Sequence, residues 1–218
     1  MYIGHYAVSF AIKKFDKKTS LGQFFIATQL VDIIFFHFAL MGIERFSLIE
    51  NYTQSTHFNL EYMPYTHSLA ASFFWSLLIY LFSTLIMKKN KVTAFFFSIT
   101  VFIHWFFDLI VHTPDLPLLS DSSIKAGFGL WENAIATFLL EAVLIGTGFI
   151  IYLRDNKSGS LIYKYAMIFF VFLLIVINSI NIFAPPVFEN KFTFAFVSIF
   201  LYIVFAVISH YLDKKISE

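Results

Sequence analysis

Ile103-His104-Trp105-Phe106-Phe107-Asp108-Leu109-Ile110-Val111-His112-Thr113-Pro114-Asp115 places ionisable side chains at four-residue intervals inside an otherwise apolar run. On an α-helix His104, Asp108 and His112 fall near one stripe, drifting by about 40° per step. Such groups are costly in lipid, so they mark a candidate functional site. Imidazole and carboxylate are also the ligands a Zn²⁺ or similar divalent site uses where thiolates are lacking, and this chain has no Cys. By helical rise His104 and His112 stand about 12 Å apart along the axis. One ion can therefore be shared by His104 with Asp108, or by Asp108 with His112, but not by both histidines.

The elements that must position these residues are membrane helices. Of 218 residues, 59% are hydrophobic, 31 are Phe and only 13% are charged, with a mean hydropathy of +0.76. That is too apolar for a soluble domain and predicts an all-α polytopic membrane helix bundle, one integral membrane domain over residues 1–218. A net charge of +1 gives no support for nucleic acid or another soluble partner. The expected partners are the lipid bilayer and an amphiphilic or lipid substrate. Lys13 and Lys14 follow the first apolar run instead of preceding it, which argues against a cleaved signal peptide.

Residues 2–14 are apolar around His5 but too short to span, and predict an N-terminal half-helix. Six transmembrane helices are expected at about 20–43, 66–87, 92–112, 133–153, 163–183 and 192–211. Pro185-Pro186 ends the fifth. With six crossings, one side gathers Lys13, Lys14, Lys17, Lys18, Lys88, Lys89, Lys91, Arg154, Lys157, Lys164, Lys214 and Lys215, against Arg45, Lys125 and Lys191 on the other. The Lys/Arg excess of cytoplasmic loops then puts the C-terminus in the cytoplasm.

Depth follows from helical rise. Asp32 sits roughly 18 Å above the basic edge, and His104 and Glu141 roughly 20 Å. The polar groups are thus expected in a lower tier of His5, Asp32, His104 and Glu141, and an upper tier of His67, Asp108 and His112, one turn apart and open to the outer side. Three protein ligands would leave a metal position for water. Asp32 and Asp115 are the carboxylates left to orient a His ligand or serve as general base. A single intramembrane His more often joins helices by a hydrogen bond, but Asp32, Asp108 and Glu141 together are costly unless paired or hydrated. His37 is expected to join helices in this way, and His57 and His210 to be solvated or interfacial. Trp75, Trp105 and Trp131 are expected as packing or interface anchors. Ser68 beside His67 points about 100° away on a helix, which argues against a direct Ser–His pair.

Gly4-His5, Leu30-Val31-Asp32, Tyr65-Thr66-His67-Ser68 and His104-x-x-x-Asp108, in this order and placement, resemble the bacterial inner-membrane metal-dependent hydrolase family also described as LexA-binding. A polytopic branch is similar over nearly the whole length, including His112-Thr113-Pro114-Asp115-Leu116-Pro117 and Gly129-Leu130-Trp131. The resemblance implies that His5, Asp32, His67, His104 and Asp108 form the metal site, in a bacterial inner (cytoplasmic) membrane. The family often carries a second acid where this chain has Ile34, and Arg-Gly where it has Pro64-Tyr65. The combined expectation is a zinc-dependent hydrolase of a lipid-like ester or phosphoester. Its metal ligands would come from His5, His67, His104, Asp108 and His112, with Asp32 and Asp115 as catalytic carboxylates. The alternatives are a small transporter or proton-coupled permease using the same groups, and a structural membrane protein whose polar residues only join helices.

Overall fold

Ser20, Ser68, Asn90 and Asn133 set where helices begin, each side-chain oxygen accepting from an amide of the first turn. The computed structural model describes residues 1–156 and 160–217. Its helices are α1 Tyr6–Lys13, α2 Leu21–Thr28, α3 Leu30–Leu40, α4 Leu69–Leu85, α5 Lys91–Val111, α6 Ala134–Asp155, α7 Leu161–Phe183 and α8 Lys191–Ser217. Among the described residues, α5, α6, α7 and α8 are long and apolar enough to cross a membrane. The molecule is an α-helical bundle of the kind an integral membrane protein uses.

The six expected spans are not found. The 20–43 run is two helices, α2 and α3, bent by 50°, with Gln29 alone between them. The 66–87 run yields only the 17 residues of α4, about 25 Å of helix against a hydrocarbon core of about 30 Å. Both departures fall at polar residues. Gln29 is fully buried and donates from Nε2 to the Tyr2 carbonyl at 3.3 Å. Ser68 Oγ accepts from Ala71 N and donates to the Pro64 carbonyl, so Thr66 and His67 stay ahead of α4. Between the first two expected spans lies a hairpin, β1 Arg45–Leu48 antiparallel to β2 Phe58–Tyr62, and β3 Leu116–Pro117 pairs with β4 Lys125–Ala126. Phe46 and Phe58 of the first hairpin lie over Phe36 of α3 and Phe194 of α8.

The expected half-helix is α1, which packs against α6 and α2. Gly148 in α6 lets the backbones meet, since a Cβ there would lie 2.3 Å from the Ala7 carbonyl oxygen. Gly22 in α2 stands in the same relation to Ala206 of α8, also at 2.3 Å. Close approach at small residues is how helices associate where lipid is as apolar as the helix surface.

At one end of the bundle, buried Lys13 pairs with Asp213 at 3.0 Å and donates to the carbonyls of Lys17 and Thr19. Tyr152 Oη donates to Asp213, and Lys17 pairs with Asp155 at 3.0 Å. Burial works to raise the Asp16 carboxyl, but hydrogen bonds from Thr93, Thr19 and Lys18 outweigh it and hold it below its ordinary value. These contacts gather the C-terminal ends of α1, α6 and α8 with the N-terminal ends of α2 and α5. The basic residues expected on one side accordingly cluster here; Lys157 lies outside the described residues.

Gly148→Ala is expected to destabilise the purified protein by about 1–3 kcal/mol, because the new methyl meets backbone. Gly146→Ala, with nothing within 4 Å, should leave stability unchanged or raise it by about 0.5–1 kcal/mol. Thermal unfolding of the two variants in detergent checks this, and equal shifts would contradict the Ala7 contact.

Candidate metal centre

Asp108 lies on α5 at 2% exposure. Its Oδ1 receives the Met1 amino nitrogen at 2.7 Å and His5 Nε2 at 3.1 Å, and His112 Nε2 stands 3.8 Å away. Oδ2 faces His104 Nε2 at 3.1 Å and His67 Nε2 at 4.0 Å. Asp32 on α3 meets the same two rings, Oδ1 lying 3.2 Å from His67 Nε2 and 3.5 Å from His104 Nε2. Tyr202 of α8 donates to Asp32 Oδ2 at 3.3 Å. The His5 and His104 rings stack at 3.8 Å between centroids.

The two expected tiers are therefore one cluster. Helical rise misplaced His67, which precedes α4 and reaches Asp32 from an irregular turn. His112 is not on the helix either: it caps α5 in an extended conformation. Asp115 stands behind the cluster, and Glu141 accepts from Tyr2 N and Gly4 N at 3.0 Å each, holding the segment ahead of α1. His37 is exposed, its Nδ1 on its own helix's Ile33 carbonyl. His57 is not simply solvated: Nδ1 accepts from Asn51 N and Nε2 donates to the Ala184 carbonyl, tying the first hairpin to the end of α7.

Three of the clustered rings are held from behind through Nδ1. His104 Nδ1 donates to the Thr28 carbonyl at 2.8 Å, and His112 Nδ1 to Asp115 Oδ1 at 2.9 Å. Behind His67 the chain is longer. Thr66 Oγ1 donates to Glu44 Oε2 at 2.7 Å, so it accepts from His67 Nδ1 at 2.8 Å. Glu44 is fully buried, which raises its carboxyl above the ordinary value despite the donors from Thr66 and Tyr65. An imidazole that donates from Nδ1 presents a lone pair at Nε2, and all three Nε2 atoms turn toward Asp32 or Asp108. His5 differs, since Nε2 donates to Asp108 and its buried Nδ1 has no partner.

Among the described residues, two triads have donor atoms within 4.8 Å of one another: His5, His104 and Asp108, and Asp32, His67 and His104. A tetrahedral Zn²⁺ with bonds of about 2.0–2.1 Å separates its ligands by about 3.3–3.4 Å. The separations of 3.1, 3.2 and 3.5 Å around His104, His67 and the two aspartates fit that spacing. His104 Nε2 belongs to both triads, and one lone pair serves one ion.

Residue types and spacing missed Glu44, Thr66, Thr28 and Tyr202, which support the cluster without belonging to it. The adjacency of Thr66 to His67 was a usable signal, as was Tyr202, a polar tip in the middle of an apolar run. Trp105 and Trp131 are more than anchors: Trp105 Nε1 donates to the His67 carbonyl, and the Trp131 ring lies 4.1 Å from that of His112.

Histidine ¹⁵N NMR is expected to find His67 protonated at Nδ1. In Glu44→Gln, an amide donates to Thr66 Oγ1, the Thr66 proton turns to His67 Nδ1, and the ring moves to the Nε2-protonated form. An unaltered His67 signal would break the Glu44–Thr66–His67 chain.

Comparison with protein-family models, with curated proteins and with solved structures finds no match to this chain.

Proposed function

We propose that this protein is a membrane-embedded, metal-dependent hydrolase, with Zn²⁺ as the favoured ion and a lipid-like ester or phosphoester as substrate. His104 Nε2 carries the proposal. It is buried without a hydrogen-bond partner, 3.1 and 3.5 Å from carboxylate oxygens that repel the lone pair of a ring protonated at Nδ1 alone, a conflict that a metal ion or a second ring proton relieves. A cation among these groups removes the conflict, and a donor set of nitrogen and oxygen without sulfur suits Zn²⁺. Nδ1 hydrogen bonds behind ligating imidazoles fix their orientation in such sites.

His67 and His104 would hold the ion with Asp108 Oδ2, which lies 3.1 Å from His104 Nε2 and 4.0 Å from His67 Nε2, and His5 and His112 complete the cluster. When bound, it supplies Lewis acidity toward a carbonyl or phosphoryl oxygen and lowers the pKa of water. Asp32 accepts the proton of the attacking water, its second oxygen held by Tyr202. Asp115 positions His112. Substrate reaches the cluster through a cavity of about 230 Å³ that includes Asp32, His67, Asp108 and His112 in its wall. The basic end of the bundle faces the cytoplasm, as does the C-terminal end of α8, and the cavity opens to the other side. The motif resemblance favours a bacterial inner membrane.

A second reading, a proton- or cation-coupled permease, draws on the 50° break between α2 and α3 beside Asp32. Broken helices line many transport sites.

Elemental analysis is expected to find stoichiometric zinc in the wild type and none in His67→Ala or Asp108→Ala, with loss of ester or phosphoester hydrolysis in both. Thr66→Val, which keeps every ligand, should weaken metal binding by about 10–100-fold. A metal-free wild type, or variants with unchanged metal content, sinks the hydrolase reading. Proteoliposome flux that needs Asp32 and Asp108 without tightly held metal establishes the permease instead.

A further inference from the structure

The cavity at the histidine cluster is mostly apolar beyond the cluster itself, with Thr56, His57, Asn181 and Ser198 as polar side chains elsewhere in its wall. Away from Asp32 and Asp108 its wall is built by Phe58 of the hairpin, Ile177 of α7, and Phe194, Val197 and Leu201 of α8. Val187 and Ile180 also line it, and they are 70% and 50% exposed. The cavity therefore reaches the surface where α7 ends and α8 begins. The helix surface there is apolar, with Phe183, Phe192 and Phe196 each about half exposed or more. In a bundle surrounded by lipid these side chains face hydrocarbon, whereas Thr56 and His57 supply polar groups on the hairpin side of the wall. A mouth bounded by lipid-facing aromatics admits a molecule that is already in the bilayer.

We propose that this cavity is an acyl-chain slot, entered sideways from the membrane between α7 and α8, which holds one chain of a membrane lipid with its head group at the histidine cluster. The proposal rests on the hydrolase reading for what becomes of the lipid, but not for its binding. Taking a methylene to need the ~30 Å³ of a liquid water, 230 Å³ corresponds to roughly eight carbons, and fewer chain carbons once the head group shares the space. A longer chain leaves its remainder in the bilayer through the open mouth. Moving a chain from lipid into the slot exchanges one apolar setting for another, so fit within the slot, not a hydrophobic drive, sets which chains are gripped.

The test titrates purified protein with dibutyryl-, dioctanoyl- and dilauroylphosphatidylglycerol and counts bound lipid by native mass spectrometry. One dioctanoyl lipid per chain is expected to bind at least tenfold more tightly than the dibutyryl lipid, with no further gain for the dilauroyl lipid. Ser198→Trp fills the slot from α8 and should weaken dioctanoyl binding at least tenfold. Leu77→Trp, on the exposed face of α4, should leave it unchanged. Val197→Phe obstructs the same slot more gently and is expected to reduce the same preference, so a misfolded Ser198→Trp leaves the test intact. His67→Ala should lose metal yet keep the ranking by chain length, which separates failure of the metal site from failure of the slot. A wild type with no chain-length preference, slot variants that bind like wild type, or equal weakening by Leu77→Trp would each overturn the proposal.

Discussion

A carboxylate buried in an apolar bundle has to be met by donors or positive charge, and Asp108 imposes that condition on every element near it. An isolated charge at such depth costs several kcal/mol even after relaxation. Donors come from the segment ahead of α1 through Met1 and His5, while His104 of α5 and His67 of the turn before α4 turn their Nε2 lone pairs toward the same carboxylate and leave a place for a cation. Each contribution shapes its element. The chain ahead of α1 must enter the bundle, and α4 must begin late enough to leave His67 free of the helix. The break after α2 belongs to the same set. Because α2 ends at Thr28, that carbonyl is among those without an intrahelical partner, and His104 Nδ1 takes it. An unbroken helix would have tied up the carbonyl in its own ladder.

The shell around the cluster makes these contacts count for more. Phe35 lies edge-on to His67 at 5.2 Å, Trp131 covers His112, and Trp105 holds the backbone at His67. With His5, His67, His104 and His112 all buried, few waters can screen the charges. Hydrogen bonds and charge pairs are stronger in such a setting, and an unsatisfied group is correspondingly more expensive. The orphaned Nε2 of His104 is the point at which that expense is concentrated.

What could be read from the sequence was whatever depends on regular helix. The i, i+4 relation of His104 and Asp108 needs only α5 to be helical, and the Phe-rich composition alone implies a bundle of apolar helices. Structure and expectation part where regular helix is extended past a polar residue. Helical rise carried through Ser68 put His67 in the wrong tier, although a serine that caps α4 forbids that extension. The same assumption carried through Gln29 turned α2 and α3 into one span. The Glu44–Thr66–His67 chain was out of reach for another reason: Glu44 and Thr66 are 22 residues apart, and only the β1–β2 hairpin between them brings them together.

The position of α1 links the two ends of the molecule. Eight residues make a helix too short to hold its own shape, so tertiary contacts must fix it. His5 at one end lies against Asp108 and stacks on His104, and Lys13 at the other is buried against Asp213. These anchors are about 12 Å apart along the axis, and Gly148 of α6 touches the backbone between them at Ala7. A short helix pinned at both ends and pressed at its middle has little freedom to slide or rotate. The ion pair at the basic end therefore helps set the register of His5 in the cluster, even though no residue of that end contributes a donor to it.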